Sequence, residues 1–209
     1  MSLDTYANLK QELIDWSHRD DLDLKIDTFI DLAETEMYAN DTEVLQIRSG
    51  ETRVAFTTST TDRFVALPTG YQSMRKVRIQ ITNGQSIELK YQSPSQLQVR
   101  SSANMPYFYT IAEQVEMDRI SDQAYTGEFL YYQEFTPLSS SNTSNAVLTN
   151  FPNIYLFGGM WALKLHAEMP QEAEMYYIKF INAIKGANNK DKLGRYGPAP
   201  VMRVETSTP

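Results

Sequence analysis

The hydrophobic period of this chain changes twice, and those two changes limit the architectures open to it. Leu22, Ile26, Phe29, Ile30, Ala33 and Met37 recur at i, i+4, i+7, i+8, i+11 and i+15, the stripe of an amphipathic helix. Leu9, Leu13, Ile14 and Trp16 set a shorter helix before it over residues 4–16, with a break at 17–21. Asp20 or Asp21 is placed to cap the second helix and Asn40 to close it. Between about residues 44 and 135 the pattern becomes short alternating runs, and RVAFT, FVALP, RKVRIQI, SIELKYQ, PYFYTIA and GEFLYYQEF read as strands of a small sheet or sandwich. Residues 136–149 are rich in Ser and Asn and read as a loop. The helical pattern then returns over about 152–168 and, after a break at 169–170, over about 171–187. The expected fold class is α+β. Residues 1–43 and 150–192 build a helical bundle, 44–149 form an inserted antiparallel β-rich module, and 193–209 form an extended C-terminal arm, since Gly194, Gly197, Pro198 and Pro200 oppose further helix.

Local signals refine the insert. Asn83-Gly84 between RKVRIQI and SIELKYQ is a strong hairpin signal, because both residues tolerate positive φ. That hairpin would gather Arg75, Lys76, Arg78 and Lys90 on one ribbon, with Arg75 on the opposite face from Lys76 and Arg78 by strand alternation. SPSQLQVR, with Pro94 in its first turn, reads as a brief helix.

Charge and cysteine usage narrow the function classes. The net charge of −7 is concentrated at the front, where residues 1–47 hold 12 acids and 3 bases. Such a front end argues against tight, sequence-independent DNA binding, which needs clustered Lys and Arg. With no cysteine in the chain there is no disulfide, thiolate metal site or cysteine nucleophile, which fits a reducing compartment. The opening MSLDTYANLKQELIDW lacks the basic start and apolar block of a signal peptide, so cytoplasmic synthesis is expected. Thirteen tyrosines point to surfaces that bury a ring and use its hydroxyl.

The strongest candidate for a site is NAVLTNFPNIYLFGGMWALKLHAEM, residues 145–169, where two adjacent glycines interrupt the most apolar run. A phosphate loop would follow its glycines with Lys and Ser or Thr, whereas Met160 and Trp161 follow here. The run from 154 to 165 is too short for a bilayer, which demands about 20 apolar residues, and it contains Lys164. Gly158, Gly159 and Ala162 are therefore expected to serve helix packing. Each mid-helix glycine costs about 1 kcal/mol relative to alanine, which close contact must offset.

Other candidates are weaker. An EF-hand loop begun at Asp21 would need Gly and Glu where Ile26 and Leu32 stand. Asp20, Asp23, Asp27, Asp31 and Glu34 instead follow one helix face as a solvated or partner-facing row. His18 lies in the tripeptide HRD without the rest of a kinase signature, and His166 reads as a partly buried core or interface residue. These residues imply no catalytic, cofactor or metal site.

The succession LPTGYQSMRKVRI, YQSPSQLQ, MPYFYTIAEQVEM, GEFLYYQEFTPLS and NAVLTNFPNIYLFGGMWALKLH resembles the head-to-tail adaptor (connector) proteins of tailed bacteriophages, of the podovirus and related type. It spans about residues 1–192. Leu67, Pro68, Tyr91, Ser93, Pro94, Pro106, Tyr109, Leu130, Tyr131, Leu138, Pro152, Tyr155, Leu156 and Gly158 fall where that pattern expects them. Asn153, Phe157 and Gly159 depart from its usual Asp, Tyr and Ala. The resemblance implies a non-catalytic, cofactor-free virion protein of the head–tail junction, made in the host cytoplasm. It further implies a ring, commonly of twelve copies, under the portal protein, meeting a tail nozzle or other tail protein, with packaged DNA passing through. On that expectation an arm with Tyr196, Pro198, Val201, Met202 and Arg203 folds onto the portal, and the acidic helix face lines or rims the channel. Two other expectations are left open: a regulatory binding module that forms no ring, and an enzyme whose active site forms between subunits.

Overall fold

The computed structural model describes residues 3–81 and 84–196, and these divide into two compact units, one of the described residues up to 48 together with those from 135 onward and one of those between 49 and 134. The helical unit contains α1 (Tyr6–Ser17), α2 (Ile26–Ala39), α3 (Ala146–Asn150), α4 (Pro152–His166) and α5 (Pro170–Tyr196). α1, α2, α3 and α5 all pack on α4. Each member of the 22-to-37 stripe is buried, as are Leu9 and Leu13 of α1.

The ends of these helices follow from particular side chains. Thr5 opens α1 by accepting the Asn8 N–H at 3.3 Å. His18 closes it in the left-handed conformation at φ 53°, with its N–H on the Ile14 carbonyl at 3.0 Å, the geometry of an αL C-cap. Neither Asp20 nor Asp21 caps α2. A 3₁₀ turn, Asp20–Lys25, intervenes, α2 begins at Ile26 without a side-chain cap, and the Asp21 carboxylate is engaged by Arg19 at 2.6 and 2.7 Å. Asn40 does end α2: its carbonyl oxygen accepts the N–H groups of Thr42 and Glu43, and its amide donates to the Glu36 and Glu43 carbonyls.

Two boundaries differ from the sequence expectation. α5 continues past Ala187 to Tyr196 because Asn188, nearly fully buried, ties that turn to the chain after α2. Asn188 accepts the Gln46 N–H at 2.9 Å and donates to Glu43 at 2.7 Å and to the Val44 carbonyl at 2.9 Å. Leu45 and Ile47, and Leu138, Val147 and Leu148, expected within the β-rich stretch, are buried in the helical core instead. The last two belong to α3, where a loop was expected; Asn145 starts it by accepting the N–H groups of Val147 and Leu148.

The β unit contains β1 (Glu51–Thr57), β2 (Phe64–Ala66), β3 (Tyr71–Gln80), β4 (Ser86–Glu88), β5 (Lys90–Tyr91), β6 (Phe108–Ile111), β7 (Gln114–Met117) and β8 (Thr126–Gln133). They form two four-stranded sheets, β1-β8-β3-β4 and β2-β7-β6-β5. Val77, Ile79, Phe129 and Tyr131 of the first share one core with Tyr109, Val115 and Met117 of the second. All pairings are antiparallel except β5 with β6. β3 and β4 form the expected hairpin, with Arg78 opposite Glu88 and Gly84 at φ +75°, while Asn83 lies outside the described residues. Phe56 and Phe129 stack with centroids 4.1 Å apart, and Gly127 lies directly beneath the Phe56 ring.

Three local readings are corrected here. Buried Leu89 splits SIELKYQ between the two sheets, so Lys90 pairs with Phe108 and leaves the ribbon of Arg75, Lys76 and Arg78. A register shift between Met74 and Lys76 makes Arg75 an extra, bulged residue. Arg75 reaches Glu51 at 2.6 Å and lies over the Tyr132 ring at 5.8 Å, a re-aiming that bulges commonly produce. SPSQLQVR forms only a turn, with the Gln96 and Leu97 N–H groups on the Ser93 carbonyl, because the Arg100 N–H is drawn to the Asp118 carbonyl at 2.8 Å.

The glycine pair lies at the most crowded point of the helical unit. A methyl at Gly158 would stand 2.8 Å from the Ala33 Cβ of α2 and 2.9 Å from the Phe180 ring of α5. At Gly159 it would stand 2.9 Å from both Leu13 methyl carbons of α1. Ala162, one turn later, is buried as well. Gly158→Ala should destabilise by about 1–3 kcal/mol, the usual cost of overpacking, because a Cβ cannot rotate away. Gly159→Ala should cost less, since leucine methyls can. Gly186→Ala, in α5 with nothing within 4 Å, should stabilise by up to about 1 kcal/mol. Urea unfolding of the three variants checks this order.

Candidate functional site

The functional architecture of the helical unit starts from a carboxylate in its interior. Glu34 was expected on the acidic outer face, but Ile30 and Met37 of the core stripe lie one turn to either side of it, and it is 9% exposed. Its Oε1 accepts the Leu138 N–H and the Tyr155 hydroxyl, both at 2.8 Å. The Tyr155 Oη in turn accepts from the Asn145 amide at 2.6 Å. One relay therefore ties α2, α4, the cap of α3 and the strand of chain leaving the β unit. Tyr38 adds a parallel tie by accepting the Phe135 N–H at 3.0 Å. Burial raises the Glu34 pKa above the ordinary carboxylate value, against the pull of those two donors. Burial likewise pushes the Tyr155 hydroxyl far up, with the Glu34 charge adding to it.

The outer side of α1 and α2 is acidic and partly organised. Asp27 accepts the Tyr6 hydroxyl at 2.7 Å and the Lys10 ammonium at 2.8 Å. Lys10 first, then Tyr6, holds its carboxyl below the usual range. Beside this group is a hollow of about 450 Å³ lined by Tyr6, Lys10, Ile14, Asp23, Ser140 and Thr143. Asp23 and Asp31 are exposed, and the side chain of Asp20 lies outside the described residues. On the other edge the Tyr177 hydroxyl donates to Glu36 at 2.7 Å, and burial raises its pKa to about 12. Tyr6, Tyr155 and Tyr177 thus spend their hydroxyls on tying helices together.

The basic residues of the β unit are largely answered from within. Arg75 pairs with Glu51, Lys76 with Glu88, and Arg63 with Glu116 at 2.9 Å. Asp118, 1% exposed at its side chain, accepts the Tyr107 and Phe108 N–H groups and pairs with buried Arg119 at 2.9 Å. Among the described residues no group of three His, Asp or Glu is placed to hold a metal, and no helix is long and apolar enough to cross a membrane.

The remaining sequence candidates separate clearly. His18 closes α1 through its backbone N–H, and the Arg19 guanidinium is engaged by Asp21. His166 is exposed rather than partly buried, because it is the last residue of α4, though its ring lies 5.4 Å from that of Phe29. Tyr196 ends α5, where an extended arm was expected, and Pro198, Val201, Met202 and Arg203 lie outside the described residues. Sequence reading missed Glu34 and Asn188 as anchors. The signal for Glu34 was its placement between Ile30 and Met37.

The relay makes stability depend on Glu34 in a pH-dependent way. A folded-state pKa raised above 4.5 means a contribution fully present below the unfolded pKa and lost as pH rises through the folded one. The stability of the wild type relative to Glu34→Gln should therefore increase as pH falls from 7 toward 4.5, as followed by urea titration. Glu34→Ala, which strips the acceptor from two buried donors, should cost about 2–4 kcal/mol at pH 7.

Residues 4–203 match the family model described as SU10 adaptor protein, a span that includes both units. No curated protein matches the chain significantly.

Proposed function

Because the chain belongs to the SU10 adaptor protein family and so is a tailed-phage head-to-tail adaptor, a structural protein of the virion's head–tail junction that works with portal and tail proteins, we propose that it forms a ring beneath the portal. The ring, of twelve copies, receives the tail nozzle on its far side and keeps the DNA channel continuous. It assembles from subunits made in the host cytoplasm and performs no catalysis. The observation that carries this reading is the family match across nearly the whole chain. The interior supports it, because the buried polar groups join segments of the chain to one another. Glu34, Tyr155 and Asn188 are anchors of this kind, and half-buried Asn145 joins them.

Passage of DNA without gripping also fits the charges. Counterion release by clustered cations drives phosphate binding, whereas Arg63, Arg75 and Lys76 are neutralised by neighbouring acids. Portal contact is assigned to Tyr196, Pro198, Val201, Met202 and Arg203, a segment with an aromatic, two apolar side chains and few charges. Asn188 supports that role by fixing a turn of α5 that precedes this segment in the sequence.

Deleting residues 197–209 should abolish binding to the portal while circular dichroism and the unfolding midpoint stay within experimental error of wild type. Unchanged portal affinity contradicts the assignment. Native mass spectrometry of the intact chain with portal should show a closed ring; a persistent monomer points to the regulatory module without a ring.

A further inference from the structure

The helical unit presents two exposed faces of opposite character. On the turn before α2, Leu24 is 93% exposed, and Leu32 within α2 is 47% exposed. With Thr28, Asp31 and Thr35 they follow the three- and four-residue steps of one helical row. α2 contains four acids and no base. Asp27 has its partner in Lys10, whereas Asp23 and Asp31 form no ion pair among the described residues.

The outer row of α5 answers this pattern. Met175 is 44% exposed and Ile178 54%, and they run into Lys179, Asn182 and Lys185, all exposed. From residue 175 to 196 the chain holds five bases and one acid. That acid, Asp191, already faces Arg48 at 3.9 Å. Lys179 extends across the rings of Tyr176 at 5.1 Å and Phe157 at 5.8 Å, while Lys185 has no ion pair among the described residues. Both rows are open to solvent, so neither covers the other within a single copy.

We propose that these faces meet between neighbouring copies, the acidic leucine-bearing row of α2 in one against the lysine-bearing row of α5 in the next. The α2 row carries its leucines beside acids, and the α5 row starts at Glu174, Met175 and Ile178 and continues into lysines, so apolar side chains and charges of opposite sign can meet along the two rows. A contact joining two different faces is heterologous, and such contacts repeat around a ring when the rotation closes. The inference rests on the ring reading above and supplies its lateral contact. It assigns the acidic face to a second copy of this chain, not to the DNA channel.

The absence of cysteine makes a direct test clean. The double variant Leu32→Cys, Ile178→Cys, assembled with portal and oxidised, should give a ladder of disulfide-linked multimers that collapses on reduction. Either single variant should remain unlinked. Asp31→Lys and Lys185→Glu should each raise the concentration needed for ring assembly about tenfold, and together recover much of that loss. Dimers from Leu32→Cys alone overturn the proposal, because they show a two-fold contact. A ring seen by native mass spectrometry with no ladder, and with charge variants assembling at wild-type concentration, overturns the assigned faces and leaves the ring intact. No ring from wild type with portal overturns the reading on which the proposal rests.

Discussion

At Gly158 the α4 backbone meets Ala33 of α2 and Phe180 of α5 with no room for a methyl group, and one residue later it meets Leu13 of α1. This close approach sets the arrangement of the helical unit. Helix-interior glycine is unfavourable by itself, so the pair is tolerated because three other helices gain packing from it. Bulk elsewhere completes the contact. Trp161 lies parallel to Phe180 at 6.5 Å and tilted against Tyr177 at 5.3 Å, and Tyr177 bonds Glu36 of α2.

Polar anchors then fix the chain segments that such packing alone would leave loose. Glu34 and Tyr155 hold the stretch returning from the β unit, and Asn188 holds the stretch leaving α2 toward it. Within the helical unit these two stretches are therefore fastened to helices by buried hydrogen bonds, whose loss leaves donors or acceptors unsatisfied at a cost well above the net gain of forming them. The outer helical faces then remain available for neighbours.

Much of this was legible in the sequence. The helical stripe from Leu22 to Met37 is buried as its spacing requires, and the six quoted runs all contribute strands. Of the residues that carry the family resemblance, Pro106, Tyr109, Tyr131, Leu138, Tyr155, Leu156 and Gly158 are buried, whereas Tyr91 and Pro94 are exposed, so packing accounts for part of the resemblance. What local patterns concealed was tertiary. Periodicity shows neither that Asn188 extends α5 through contacts more than 140 residues away, nor that Leu89 carries one run into two sheets. A bulge at Arg75 reverses a facing that strict alternation assigns. Glu34 was misplaced because an acid at the margin of a stripe looks solvated until its partners, Leu138 and Tyr155, are brought to it.

The central claim is that this chain works as one copy in a closed adaptor ring, with its helical units side by side. Electron cryo-microscopy of the protein assembled with its portal tests that claim most directly. The account predicts a closed ring coaxial with the portal, with α2 of each copy against α5 of the next. Isolated copies scattered on the portal, or no bound density at all, contradict it.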